Sequence, residues 1–132
     1  MRKYTAITGS IQVKVEPEYK PDQSTPDRGQ HVWAYHVEIL NMGQSDIQLQ
    51  SRYWRIVDAQ GRVQEVHGRG VVGEQPLIEA GECYSYSSGC PLESHSGFMS
   101  GHYEMVFDDG TPFTVTIPTF SLDIPDQVVT LN

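Results

Sequence analysis

The feature that most restricts this chain is the alternation of apolar and polar side chains. In "SIQVKVEP", Ile11, Val13 and Val15 take one side while Gln12, Lys14 and Glu16 take the other. "HVWAYHVEIL" sets Trp33, Tyr35, Val37 and Ile39 against Val32, Ala34, His36 and Glu38. "GFMSGHYEMVF" groups Met99, Tyr103, Met105 and Phe107, and "TPFTVTIP" groups Phe113, Val115 and Ile117. Successive side chains of a strand point to opposite faces, so a period of two marks antiparallel strands with one dry face and one wet face. No stretch sustains a helical period. The turn sequences "NMGQSD", "DAQGR", "EAGE" and "DDGT" divide the runs into about seven strands. The pattern predicts an all-β fold, a two-sheet antiparallel β-sandwich of the immunoglobulin or fibronectin type III kind, with a closed barrel as the alternative. The polar gap from Glu16 to Gln30, with Pro17, Pro21 and Pro26, predicts a mobile connection between the first two strands.

One strand changes phase. In "SDIQLQSRYWRIVD", Ile47 and Leu49 are odd-numbered but Trp54 and Ile56 are even-numbered. A one-residue slip between Ser51 and Trp54 predicts a β-bulge that returns Trp54 to the core face. Either the strand simply bends there, or the bulge re-aims Arg52 and Tyr53 at a partner.

Bulk properties exclude several classes. A chain of 132 residues is expected to form one domain over 1–132. Its net charge of −8 and nine scattered basic residues argue against nucleic acid, whose phosphates are bound mainly by Lys and Arg. No apolar run is long enough to cross a membrane. "MRKYTAITGSIQVKV" lacks the apolar stretch of a secretory signal. Cys83 and Cys90, the two cysteines, resemble neither a zinc site nor a disulfide framework. A cytoplasmic location with reduced thiols follows as the expectation.

"HGRGVVGEQP" carries Gly68, Gly70 and Gly73 at G-x-G-x-x-G spacing. In a dinucleotide-binding fold those glycines follow a strand and open a helix whose N-terminus holds a pyrophosphate. "RVQEV" supplies the strand, but Glu74-Gln75-Pro76 and the turn "EAGE" follow where the helix should be. The dinucleotide reading therefore fails. Two others stay open: a backbone concavity holding a small anion or nucleotide phosphate with help from Arg69, or glycines that only permit positive φ in an irregular crossing.

Other constellations are weaker. His36/Glu38 and His102/Glu104 each offer two ligands on an outer strand face, but the two strands are expected in opposite sheets, so the pairs cannot converge on one metal. His31, His67 and His95 complete the histidines. Ser94, His95 and Ser96 are contiguous, which places His95 poorly to activate either serine, and Cys90 with His95 lacks an orienting third group. Cys83 is expected to pack or to face a neighbouring strand. No catalytic residue, metal ligand set or cofactor is assigned. Trp33, Tyr35, Trp54, Tyr84, Tyr86 and Tyr103 are assigned to the core, with Tyr103 also a candidate for a corner tyrosine whose hydroxyl reaches a backbone carbonyl.

Four longer segments, "SRYWRIVD", "EVHGRGVVGEQPLI", "GECYSYSSGCPLESHSGFMSGHYEM" and "FTVTIPTFSL", together resemble the bacterial ApaG family. The resemblance spans nearly the whole chain and is densest from Ser51 to Met105. "VWAYHVEI" matches the family's aromatic-rich second strand, whereas Tyr53 stands where a histidine is common. The resemblance implies a fibronectin type III-like sandwich and an association with cobalt and magnesium resistance or efflux, with no established activity. Related domains in an F-box protein and a polymerase-delta-interacting protein imply protein contact. The resulting expectation is a non-enzymatic binding module for an unknown protein partner. Its candidate surface comprises Arg52, Tyr53, Gly68, Arg69, Gly70, Gly73 and Gln75. The alternatives are a small-anion binder using the Gly68–Gly73 loop and a divalent-cation sensor. Weak self-association through edge strands is a further expectation.

Overall fold

The alternating segments become strands in a computed structural model that describes residues 2–124. In order these are β1 (Tyr4–Thr8), β2 (Ile11–Tyr19), β3 (His31–Asn41), β4 (Ile47–Asp58), β5 (Val63–Arg69), β6 (Leu77–Ile78), β7 (Cys83–Leu92), β8 (Ser96–Phe107) and β9 (Pro112–Asp123). One antiparallel sheet has the order β1-β2-β3-β7 and the other β5-β4-β8-β9, with β6 also paired to β4. The described residues therefore form the expected open two-sheet sandwich, with nine strands, slightly more than the expected seven or so. The two extra strands are β1, which folds back on β2 through Gly9-Ser10, and β6, a two-residue strand. Both are too short to show a period.

Alternation sets the core. Ile11, Val13, Val15, Val37 and Ile39 of one sheet and Leu49, Tyr103, Met105, Val115 and Ile117 of the other are all buried. Each such aliphatic side chain contributes about 1.5–3 kcal/mol relative to exposure. Tyr103 is not a corner tyrosine. Its hydroxyl pairs with that of Tyr86 across the two sheets, and burial raises both phenols above their ordinary range.

The region between Glu16 and Gln30 is more structured than proline content suggests. β2 continues through Pro17 to Tyr19, and Pro17 sits opposite Tyr35. Lys20 N–H donates to Val32 O. Opposed residues alternate between bonded and non-bonded pairs, so Pro17 belongs to a pair whose nitrogen points away from β3. It lies past the end of β1, where a missing N–H costs no ladder bond. Two 3₁₀ turns follow, Pro21–Gln23 and Pro26–Arg28. Ser24 Oγ then donates to Lys20 O and accepts from Val32 N–H. The expected mobile connection is instead pinned to β3.

His31 shows how the core responds to acid. It is 5% exposed, with Nδ1 3.1 Å from the Tyr19 hydroxyl. Burial, and secondarily charge on His95, lowers its pKa below 6.5. The unfolded chain then binds more protons than the native one over that range, so stability falls as pH drops through about 6.5 towards the native value. Urea midpoints at pH 7.5 and 5.0 are expected to converge in His31→Gln relative to the parent; an unchanged gap would assign the acid sensitivity elsewhere.

Candidate functional site

The loop between β5 and β6 runs along one edge of β4, and its geometry answers the glycine motif. Val71 N–H donates to Glu74 O at 2.8 Å and Glu74 N–H returns to Val71 O at 2.9 Å. Between them Val72 has φ 42° and Gly73 φ 82°. Two positive φ values inside a closed two-residue link make a type I′ turn. No helix begins at Gly73, and the N–H groups of Gly70, Val71 and Glu74 already bond within the protein. Gly70, at φ 66°, lies so close to the Glu74 carbonyl that a Cβ there would collide with it.

The slip in β4 and this loop are one construction. The β4–β8 register shifts between Leu49 and Ser51, slightly before the span expected from the sequence. The bulged residue is Gln50, whose carbonyl accepts Gly70 N–H and Gln75 Nε2, each at 2.9 Å. Gln48 Nε2 donates to Gln75 O at 3.1 Å and Leu49 N–H to Pro76 O at 3.1 Å. A bulge leaves backbone groups outside the ladder, and here they hold the loop. Trp54 returns to the core, 2% exposed, against Tyr35 and Phe120.

Arg52 closes the arrangement. It lies opposite Gly68 on the inner side of the sheet. Its guanidinium covers the Gly68 backbone so closely that any Cβ there would displace it. Nη1 donates to Gly70 O at 2.8 Å. Arg69 is exposed at the end of β5. Arg52, Gly68, Arg69, Gly70, Gly73 and Gln75 are thus brought together.

Tyr53 is not with them. It occupies the outer face, its ring between His67 and His102 at centroid distances of 4.9 and 5.0 Å. Its hydroxyl donates to Glu65 Oε2 at 2.7 Å, which raises its pKa. The row His67–Tyr53–His102 crosses β5, β4 and β8 and was not legible beforehand, because it depends on cross-strand register. His102 also pairs with Glu104 at 3.2 Å. His36 pairs with Glu18 at 2.9 Å and with Ser87 Oγ at 2.6 Å, not with Glu38. The His36 bond, then Lys20, lowers the Glu18 pKa. This serine–imidazole–carboxylate line lies on an open sheet face. The His36 and His102 strands do belong to opposite sheets. Among the described residues, no three His, Cys, Asp or Glu side chains are placed to share a metal ion.

Remaining nucleophiles have structural partners or surroundings. Ser94 is buried, donating to Ser96 O and accepting from Ala59 N–H. Cys90 is buried, and its thiol is pushed up to about 11, which keeps it protonated at neutral pH. Cys83 is exposed on β7.

Three of the six large apolar side chains exposed among the described residues follow the β5–β6 edge: Val63 at 50%, Val72 at 55% and Leu77 at 62%. Beside Val63 lies a cleft of about 240 Å³ between the sheets, lined by Ile56, Gln64, Pro91 and Leu92 and rimmed by Arg62 and Glu93. Val72 is the unusual member. A β-branched residue at positive φ is an outlier, and such strain costs about 1–3 kcal/mol. Val72→Asn, giving the Asn-Gly pair that type I′ turns favour, is expected to raise stability by about 1 kcal/mol in urea unfolding. No gain would mean that the valine contributes compensating contacts.

The chain as a whole matches a known family. A family model described as the ApaG domain matches residues 21–107. Protein ApaG of Xanthobacter autotrophicus is 52% identical over 129 residues, covering 98% of this chain and 99% of that one. Protein ApaG of Brucella suis is 54% identical over the same length and coverage. In three dimensions, the crystal structure of an ApaA protein from Bordetella pertussis matches with a TM-score of 0.85 at 49% identity, over 87% of this chain and 94% of that one. With sequence, domain match and fold in agreement, this chain belongs to the ApaG family.

Proposed function

We propose that this chain is a non-catalytic module of the cytoplasm that binds another protein along the β5 edge and the turn at Val71–Glu74. The observation that carries this reading is the row of backbone groups on the free side of β5. Asp58 N–H bonds Arg62 O, and Gly70 N–H bonds Gln50 O. With the β4–β5 register, alternate residues Gln64, Val66 and Gly68 face β4. Val63, Glu65 and His67 therefore direct N–H and C=O outward, and Arg69 its N–H, from a strand with no neighbour on that side among the described residues; the Arg69 carbonyl accepts Arg52 Nη1 at 3.4 Å. Such an edge accepts a partner's strand, and here it is flanked by the exposed Val63, Val72 and Leu77. The family's link to cobalt and magnesium tolerance is then carried by the partner and not by ions held on this chain.

Proline at an outward position separates binding from folding, since it removes an edge donor without touching the β4 ladder. Proteins captured from cell extract by the parent are expected to be lost with Glu65→Pro and reduced with Arg69→Glu, while both variants melt cooperatively near the parent temperature. Recovery of the same proteins by folded Glu65→Pro would overturn this surface. If the only species lost is a second copy of this chain, seen by sedimentation, the module is a homodimer and the partner reading fails.

A further inference from the structure

The flank bounded by β5 and β7 holds a cation whose charge the described residues leave unmatched. Among the described residues five ion pairs form, and none includes Arg52. Only Lys20 and Arg52 of the basic residues are half-buried, and Lys20 has Glu18 at 3.3 Å. Neighbouring carboxylates are occupied: Glu65 accepts from Tyr53 on the opposite face, and Glu74 accepts from Tyr84 at 3.0 Å. Nη1 donates to Gly70 O at 2.8 Å and to Arg69 O at 3.4 Å, which leaves Nε and Nη2 as a fork without a partner among the described residues. Partial desolvation without a counter-charge is costly unless a ligand supplies one. A guanidinium whose plane is already fixed suits bidentate binding of a carboxylate.

We propose that the partner segment is an extended strand carrying an aspartate or glutamate that binds Arg52 over Gly68. An aliphatic residue four positions away on the same segment enters the cleft beside Gln64. This rests on the β5-edge reading above and specifies its chemistry. Residues directly opposed in neighbouring strands share a face, and Gly68 and Gln64 both lie on the inner face, opposite Arg52 and Ile56. A residue added across from Gly68 therefore projects toward the guanidinium. One added across from Gln64 projects toward Ile56, Pro91 and Leu92, which line the 240 Å³ cleft. The residue midway faces half-buried Val66 and is small or apolar. Gly68 is what places the cation there, because any Cβ at that position would take the guanidinium's place. The segment closes the open flank of the sandwich.

The probe is a library of random peptides displayed on phage, selected against the immobilised protein and confirmed with synthetic peptides by amide shift mapping. Enriched sequences are expected to carry an acidic residue four positions from an aliphatic one, and to shift the amides of Val63, Glu65, His67 and Arg69. Replacing the peptide's acidic residue by its amide, on the unmodified protein, is expected to weaken binding about tenfold. Arg52→Lys, which keeps the charge but loses the fork, is expected to weaken the acidic peptide by a similar factor and the amide peptide very little. Enriched peptides without acidic residues that shift the same amides would overturn the carboxylate anchor and leave the β5 edge standing. Enrichment on β7 or β9, or no enrichment at all, would overturn both.

Discussion

Gly70→Ala is expected to lower the unfolding free energy by about 3 kcal/mol or more, read as a displaced urea midpoint. Two costs combine. A side chain at φ 66° meets the left-handed penalty of about 1–2 kcal/mol, and its Cβ would overlap the Glu74 carbonyl, a backbone atom that cannot rotate away. Relief requires moving Glu74 off Val71, which opens the type I′ turn and exposes Val71, now fully buried. Gly73→Ala is the matched comparison. It also has positive φ, but nothing lies near its added Cβ, so its loss is expected to stay at about 1–2 kcal/mol. Equal losses would show that the collision is absorbed and that only conformation matters.

Trp54→Ala is expected to cost about 3–5 kcal/mol, the range for truncating a buried aromatic. The indole lies 5.1 Å from the Tyr35 ring and 5.9 Å from Phe120, joining the two sheets at their centre. Its Nε1–H has no acceptor within the described residues. Trp54→Phe therefore sacrifices no hydrogen bond and is expected to retain most of the stability, at a cost of about 1–3 kcal/mol. A phenylalanine variant as unstable as the alanine one would reveal an acceptor for the indole, such as a bound water.

The contrast between these two positions shows what was legible in the sequence. Trp54 as a core residue, and the bulge before it, follow from a phase change, because burial imposes the period of two along each strand. The failure of the dinucleotide motif was legible too, since Glu74-Gln75-Pro76 leads only to a short apolar pair and the turn "EAGE", too little chain for a helix. Cross-strand neighbours were not. The stack of Tyr53 on His67 and His102, the Glu18–His36–Ser87 line and the Tyr86–Tyr103 pair all depend on register, which alternation does not number. The separation of Arg52 from Tyr53 onto opposite faces was implicit in the alternation, yet it becomes decisive only once the glycine loop is placed beside one face. The loop's hold on Gln50 was invisible because its acceptor is a main-chain carbonyl, which no residue type announces.

That hold has a kinetic consequence. Gln50, Gln75 and Arg52 immobilise the tip while the chain folds, so little ordering entropy remains to be lost on encounter. On the proposed β5-edge reading, this side of the contact then meets its partner already ordered. Substitutions along this rim should leave association rates nearly alone and register as altered residence times.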